Sequence, residues 1–135
     1  NAAGENMGAP HIRNAVDWIK SRQRNDGGWG EDGSTYWEET KDVIKASTAS
    51  QTSWAILGLM AAGEADSESV ERGVKFLIEF PRNGSIWEEP WYTAVGFPKV
   101  FYLKYHGYSV YFPLWALSRY HSLKKGNTGK VPFGM

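Results

Sequence analysis

An internal repeat limits this chain to few architectures. Displaced by 58 positions, the step from Val16 to Val74, the sequence lays Trp18 on Phe76, Ile19 on Leu77, Arg24 on Arg82, Asn25 on Asn83, Trp29 on Trp87 and Glu31 on Glu89. Each copy reads as a helix followed by a turn, and a further helix lies between the copies, so the period is a helix pair. Stacked pairs bury their apolar faces only against neighbouring pairs. Two pairs do not close a ring, so an all-α toroid would need more pairs than these 135 residues supply. Residues 1–135 are read as one unit of such an architecture, with 1–9 and 125–135 as loose ends.

Apolar spacing places the helices. Ile12, Ala15, Val16 and Ile19 recur at helical intervals over Pro10–Arg22, with Pro10 suited to a first turn and Gly27, Gly28 and Gly30 beyond. A polar loop runs to about Ala46. Ser50–Ala62 forms a second helix with a Ser or Thr cap and Gly63 as its stop. Asp66 or Ser67 caps a third, Ser69–Phe80, ended by Pro81. The fourth, Tyr111–Leu123, places Pro113 in its first turn and ends at Gly126. No strand is read. The longest apolar stretch, Trp54–Ala62, falls well short of the roughly 18 residues that suggest a spanning helix.

Charge and cysteine exclude several function classes. Fifteen Lys and Arg balance fifteen Asp and Glu, so the footprint of a nucleic-acid binder is missing. Without cysteine there is neither a disulfide framework nor a thiolate zinc site. A calcium loop counted from Asp26 fails, because Glu31 stands where Gly is needed and Trp37 where Glu is needed. His11, His106 and His121 lack metal-ligand spacing. No metal and no cofactor is expected.

The aromatic residues carry the functional signal. Twelve of the twenty lie between Trp87 and Tyr120, where only Glu88, Glu89, Lys99, Lys104 and Arg119 are charged. Aromatic faces stabilise a desolvated cation by roughly 2 kcal/mol or more, whereas a carboxylate or water would quench a carbocation. An aromatic stripe is also the ordinary content of a core. Trp18, Trp54 and Trp115, each on an apolar helix face, are read as packing.

The first copy ends in Gln23-Arg24-Asn25-Asp26-Gly27-Gly28-Trp29, a Gln, three residues, a Gly, one residue and a Trp. A Gln amide can bond an adjacent helix terminus while the indole packs over it, and Gly permits the close turn. This clamp resembles the QW motif of the triterpene cyclases. The strings GGWGED (27–32), ASTASQTSWA (46–55) and GFPKVFYLKYHGYSVYFPLWALSRY (96–120) resemble the C-terminal part of the squalene–hopene cyclases. The second copy departs from the motif: Pro81 replaces its Gln and Ser85 its Gly, leaving Trp87, so that clamp is expected to be weaker or differently made.

The resemblance implies an α/α toroid (α6–α6 barrel) with QW-type turns, incomplete as a barrel. It implies that Phe97 and Phe101 stabilise cations, that Leu103 shapes the pocket and that Tyr105 and Tyr108 support it. Trp29 would line the substrate site, and Tyr36 would position the water that returns a proton to a distant Asp. Gln23, Gly27, Trp29 and Trp87 would be the structural QW residues. The Asp acid of the family's DxDD segment is absent here, so the isolated segment is expected to be inactive. Implied partners are squalene, the remaining N-terminal part of the polypeptide, a membrane surface and a second copy as a homodimer. The implied location is monotopic, on the cytoplasmic side of the cytoplasmic membrane. The competing reading is a non-catalytic helical-repeat module whose aromatic groove binds an apolar ligand or protein partner. A third is another α-toroid enzyme, such as a protein prenyltransferase subunit, which would need zinc ligands that this chain does not show.

Overall fold

The computed structural model describes residues 1–41, 43, 46–84 and 86–126. Four helices dominate: α1 (Pro10–Ser21), α2 (Ala49–Ala61), α3 (Glu68–Glu79) and α4 (Tyr108–Lys124). The first three lie within a residue or so of the sequence reading. Pro10 opens α1, the Thr48 hydroxyl accepts from the Gln51 N–H to cap α2, and the Ser67 hydroxyl accepts from the Val70 N–H to cap α3. Gly63, at φ +87°, closes α2: its N–H reaches the Met60 carbonyl, and the Glu64 N–H reaches that of Leu59.

α2 is the centre of the packing. It lies against both α3 and α4, and residues on nearly every side of it are buried, including Ile56, Leu57, Leu59 and Met60. Val70, Val74 and Leu77 of α3 and Ala116 and Leu123 of α4 complete the core, with Val16 as the buried residue of α1. The Glu64 carboxylate, in the α2–α3 turn, accepts from both Arg13 and Lys20 of α1 and so ties that helix to the pair. Asn1 donates to the Ala61 carbonyl at the end of α2.

Three features depart from the sequence reading. First, there are strands. β1 (Arg82–Asn83) pairs antiparallel with β2 (Ile86–Trp87), and β3 (Ala94–Phe97) pairs antiparallel with β4 (Phe101–Leu103). They are too short to show a period, and Gly96 interrupts the longest of them. Second, α4 begins three residues earlier than read, which places Pro113 inside the helix rather than in its first turn. Tyr108 enters the helix because its N–H reaches the Tyr105 carbonyl, while Gly107 supplies the carbonyl for Val110 and Tyr111. Third, Trp18 is left open among the described residues: it is 60% exposed, with the Arg22 guanidinium 5.4 Å above its ring. Of the chain's end, read as loose from residue 125, residues 127–135 lie outside the described residues.

Candidate functional site

The first turn builds the clamp that its residue types suggest. The Gln23 amide donates to the Gly27 carbonyl and, at 2.8 Å, to the Ser69 carbonyl in the first turn of α3. Gly27 is at φ +87°, and a Cβ there would stand 2.7 Å from the Arg72 carbonyl oxygen. The Trp29 indole N–H donates to the Ile19 carbonyl at 2.8 Å, and its ring lies so close to α3 that a Cβ on Gly73 would meet it at 3.0 Å. Trp29 is therefore buried in the clamp, beneath α3. In the second turn Pro81 cannot take Gln's place. The Arg82 guanidinium instead lies 5.3 Å over the Trp87 ring, whose N–H bonds the Leu77 carbonyl at 2.9 Å. Ser85 lies outside the described residues.

Phe97 and Phe101 come together on the β3–β4 hairpin. Their ring centroids are 5.6 Å apart with planes at 70°, an edge-to-face pair, and they are 64% and 43% exposed. The register explains the pair. Val95 faces Tyr102 and Phe97 faces Phe101, so Gly96 is an extra residue in the strand. The Phe101 ring lies across the Gly96 backbone, where a Cβ would come within 1.9 Å of it. Pro98 and Lys99 occupy the turn, closed by the Val100 N–H to the Phe97 carbonyl. Lys99 has φ +66°, a conformation that costs an L-residue about 1–2 kcal/mol. Its N–H donates to the Tyr102 hydroxyl, and its ammonium sits 4.8 Å over Trp37, two contacts that offset the strain.

Tyr36 is linked to this hairpin by a residue that sequence reasoning passed over. It ends a 3₁₀ turn (Gly33–Tyr36) capped by Asp32, and its ring lies 6.4 Å from that of Tyr102. The Tyr102 hydroxyl donates to the Gly33 carbonyl at 3.3 Å, and the ring would meet a Cβ on Gly33 at 2.6 Å. Alternation along Phe101-Tyr102-Leu103 is the signal that sends Tyr102 to the opposite face from Phe101 and Leu103. That signal depends on reading a strand.

Tyr105 and Tyr108 belong to a second group of rings at the start of α4. They stack at 5.0 Å, and Tyr108 meets Phe112 edge-on at 5.1 Å. Trp54 of α2 stands edge-on to Tyr108 at 5.6 Å and to Phe112 at 5.3 Å, and Trp115 continues the row at 6.2 Å from Phe112. Spacing of four and three residues along one helix face brings 108, 112 and 115 into line. Trp54, read as packing, does pack, but against these rings; Trp115 remains exposed.

One buried carboxylate lies at the base of the hairpin. Glu89 is only 9% exposed. Its carboxylate accepts from the Ser50 N–H and, at 2.9 Å, from the Ser50 hydroxyl. Burial pushes its pKa above the usual carboxylate range, against the opposing pull of the Ser50 bonds and the Lys104 charge. Among the described residues no group of three or more His, Cys, Asp or Glu is arranged to hold a metal ion.

These observations define a class: a stack of helix pairs locked by indole clamps and presenting two groups of aromatic rings. The chain belongs to the family described as the squalene–hopene cyclase C-terminal domain, whose model matches residues 1–122. It is 54% identical over its whole length to the squalene–hopene cyclase of Bradyrhizobium diazoefficiens, covering 21% of that protein. It is 52% identical, over 92% of its length, to the squalene–hopene cyclase of Zymomonas mobilis, covering 19%. With human lanosterol synthase it shares 38% identity over 83% of its length, covering 15%. The chain thus spans about a fifth of the length of its squalene–hopene cyclase relatives. The α/α-toroid class read from the sequence agrees with the family and with the helical architecture.

Proposed function

We propose that the polypeptide to which this segment belongs cyclises squalene through a protonation-initiated carbocation cascade, and that this segment supplies aromatic wall and clamps but not the acid. The observation that carries the reading is the edge-to-face pair of Phe97 and Phe101, held on a hairpin with both rings open. Two large apolar rings left open need an apolar occupant. A cation passing their faces gains roughly 2 kcal/mol or more per desolvated ring. Leu103, on the same strand face as Phe101, bounds the space beside them. Tyr105 and Tyr108 extend the π surface, kept in orientation by Trp54 and Phe112.

In this reading Tyr36 holds the water that returns the proton, and what supports it is that Tyr36 sits on the turn that Tyr102 fastens to the hairpin. Because squalene is insoluble in water, the complete protein docks on the cytoplasmic face of the membrane through apolar surface. The test is incubation of squalene with the complete polypeptide and, in parallel, with the isolated 135-residue chain. The first is expected to yield pentacyclic product and the second only starting material. Product from the isolated chain would overturn the assignment of the acid to another part of the polypeptide. No product from the complete, folded polypeptide would favour a binding module instead.

A further inference from the structure

The hairpin that carries Phe97 and Phe101 is a fourteen-residue excursion, from Pro90 to Leu103, between Glu89 and Lys104. Its strands are four and three residues long and pair with each other. A two-stranded hairpin is marginal by itself. The position of the two rings therefore depends on what holds the excursion: Tyr102 and Lys99 fasten it to the Gly33–Tyr36 turn and to Trp37, and its base has an anchor of its own.

Both legs of that base meet at one residue. On the incoming leg, the Glu89 carboxylate grips α2 through the N–H and the hydroxyl of Ser50. On the outgoing leg, the Lys104 ammonium donates to the Glu89 main-chain carbonyl at 2.6 Å. Trp91 adds a bond from its indole N–H to the Ala46 carbonyl, just before α2. We propose that Glu89 is the positioning residue for the Phe97–Phe101 pair, fixing the hairpin base to the start of α2 so that the rings keep their place against a reacting cation. The proposal rests on the cyclase reading above.

Comparison of the two repeat copies separates this role from ordinary repeat packing. Glu31 stands at the position equivalent to Glu89, and it too meets the start of α2. It does so with its main chain: the Glu31 N–H donates to the Gln51 side-chain oxygen and its carbonyl accepts from the Gln51 amide. The Glu31 side chain is left exposed. In the first copy, where no strand pair follows among the described residues, the position equivalent to Glu89 thus meets α2 through neutral groups, and the carboxylate of that turn, Asp26, bonds the Ser47 hydroxyl just before α2 while itself exposed. Only in the second copy, where the aromatic excursion begins, is a carboxylate buried for the purpose, and burying an ion is costly unless its bonds are specific. The N-terminal end of α2 favours that negative charge.

The experiment uses the complete polypeptide with Glu89→Ala, Glu89→Gln and Lys104→Met. Three quantities are measured below the melting temperature of each variant: the ratio of incompletely cyclised to pentacyclic product from squalene, amide hydrogen exchange over residues 94–103, and exchange within α2 and α4. Glu89→Ala is expected to raise the incomplete fraction several-fold and to speed exchange of 94–103 about tenfold, with the interiors of α2 and α4 unchanged. Glu89→Gln, which keeps an oxygen for Ser50, is expected to restore part of both, and Lys104→Met to move both in the direction of Glu89→Ala. Unchanged exchange over 94–103 overturns the proposal, and so does faster exchange with an unchanged product ratio. If Glu89→Ala does not fold, the same criteria apply to the other two variants. If the unsubstituted polypeptide converts no squalene, the cyclase reading falls, and exchange alone decides whether Glu89 positions the hairpin.

Discussion

The Trp87 indole donates to the Leu77 carbonyl at 2.9 Å across ten residues of chain, and Trp29 makes the same ten-residue bond to Ile19 at 2.8 Å. In each copy the indole bonds a carbonyl near the end of the preceding helix, where intrahelical partners run out: Leu77 has no i+4 N–H because residue 81 is proline, while Ile19 also accepts from the Arg22 N–H. The indole is thus the part of the clamp that both copies keep. Stacking over it is variable, with Arg82 standing over Trp87.

Replacing Trp87 by Phe keeps most of the apolar ring but removes the donor, leaving the Leu77 carbonyl unpaired at a cost of about 1–3 kcal/mol, whereas Trp29→Phe leaves Ile19 its bond from the Arg22 N–H and is expected to cost less. Replacement by Ala is expected to cost ~3–5 kcal/mol. Trp87, only 2% exposed, is expected to be the more damaging site for the Ala change. Thermal melts of Trp29→Phe, Trp87→Phe and both Ala variants in the complete polypeptide check this order. Melts of the Phe variants indistinguishable from the parent would show that the bond adds nothing.

Gly96 is where the hairpin admits the Phe101 ring. A methyl group there would overlap the ring at 1.9 Å, closer than any packing allows, so Gly96→Ala must rotate Phe101 or shift the strand. Gly96→Ala is therefore expected to resemble Phe101→Ala, with more incompletely cyclised product and a melting temperature within a few degrees of the parent. Trp29→Ala should show the opposite balance, a large loss of stability with little change in the product ratio of the folded fraction. Product analysis and melts of the three variants decide it. A Phe101→Ala variant that only melts earlier would contradict the cation-wall reading.

Two carboxylates should give opposite pH signatures. Hydrogen bonds from Lys20 and then Arg13 hold Glu64 below the usual carboxylate range. A lowered folded-state pKa contributes stability above the unfolded value, about 4.3 for Glu, and loses it as pH falls through the folded value. The parent is therefore expected to exceed Glu64→Gln by a constant margin, on the order of 1 kcal/mol, at neutral pH, and the margin should shrink in acid below pH ~4. Glu89, raised by burial, works the other way: its contribution is fully present below the unfolded pKa and is lost as pH rises through the raised folded value. Relative to Glu89→Gln, the parent should lose ground as pH climbs from about 4 toward neutrality. Melting temperatures of the two pairs across pH 3–8 would show the crossing slopes, and parallel curves would refute both assignments.

The helices were legible because their apolar residues repeat over two turns or so and their ends carry Ser, Thr, Gly or Pro. The hairpin was not. Ala94–Phe97 contains the bulging Gly96, and Phe101–Leu103 is too short for alternation to stand out from an aromatic-rich stretch. Missing the strand hid Tyr102, whose role follows only from pointing away from Phe101. Pro113 misled for a related reason: proline suits a first turn, but here Gly107 and Tyr105 start the helix upstream of it. Glu89 carries no local signal, because its partner Ser50 lies 39 residues away on another element. Trp18 was misplaced because an apolar helix face shows that something covers it, not that the cover lies in the same 135 residues.

Membrane docking by the complete protein provides the last test. No helix among the described residues is long and apolar enough to cross a bilayer, and the chain has no net charge to hold it to anionic lipid. If the complete polypeptide takes up squalene from a bilayer through apolar surface sunk into the interface, its binding is insensitive to screening. The complete polypeptide is expected to pellet with membranes, to stay there in high salt and to be released by detergent. Release by salt alone would mean that charge holds it, and a protein wholly in the supernatant would mean that squalene reaches the aromatic hairpin by another route. Either outcome would set aside the monotopic reading while leaving the clamp and hairpin predictions to their own tests.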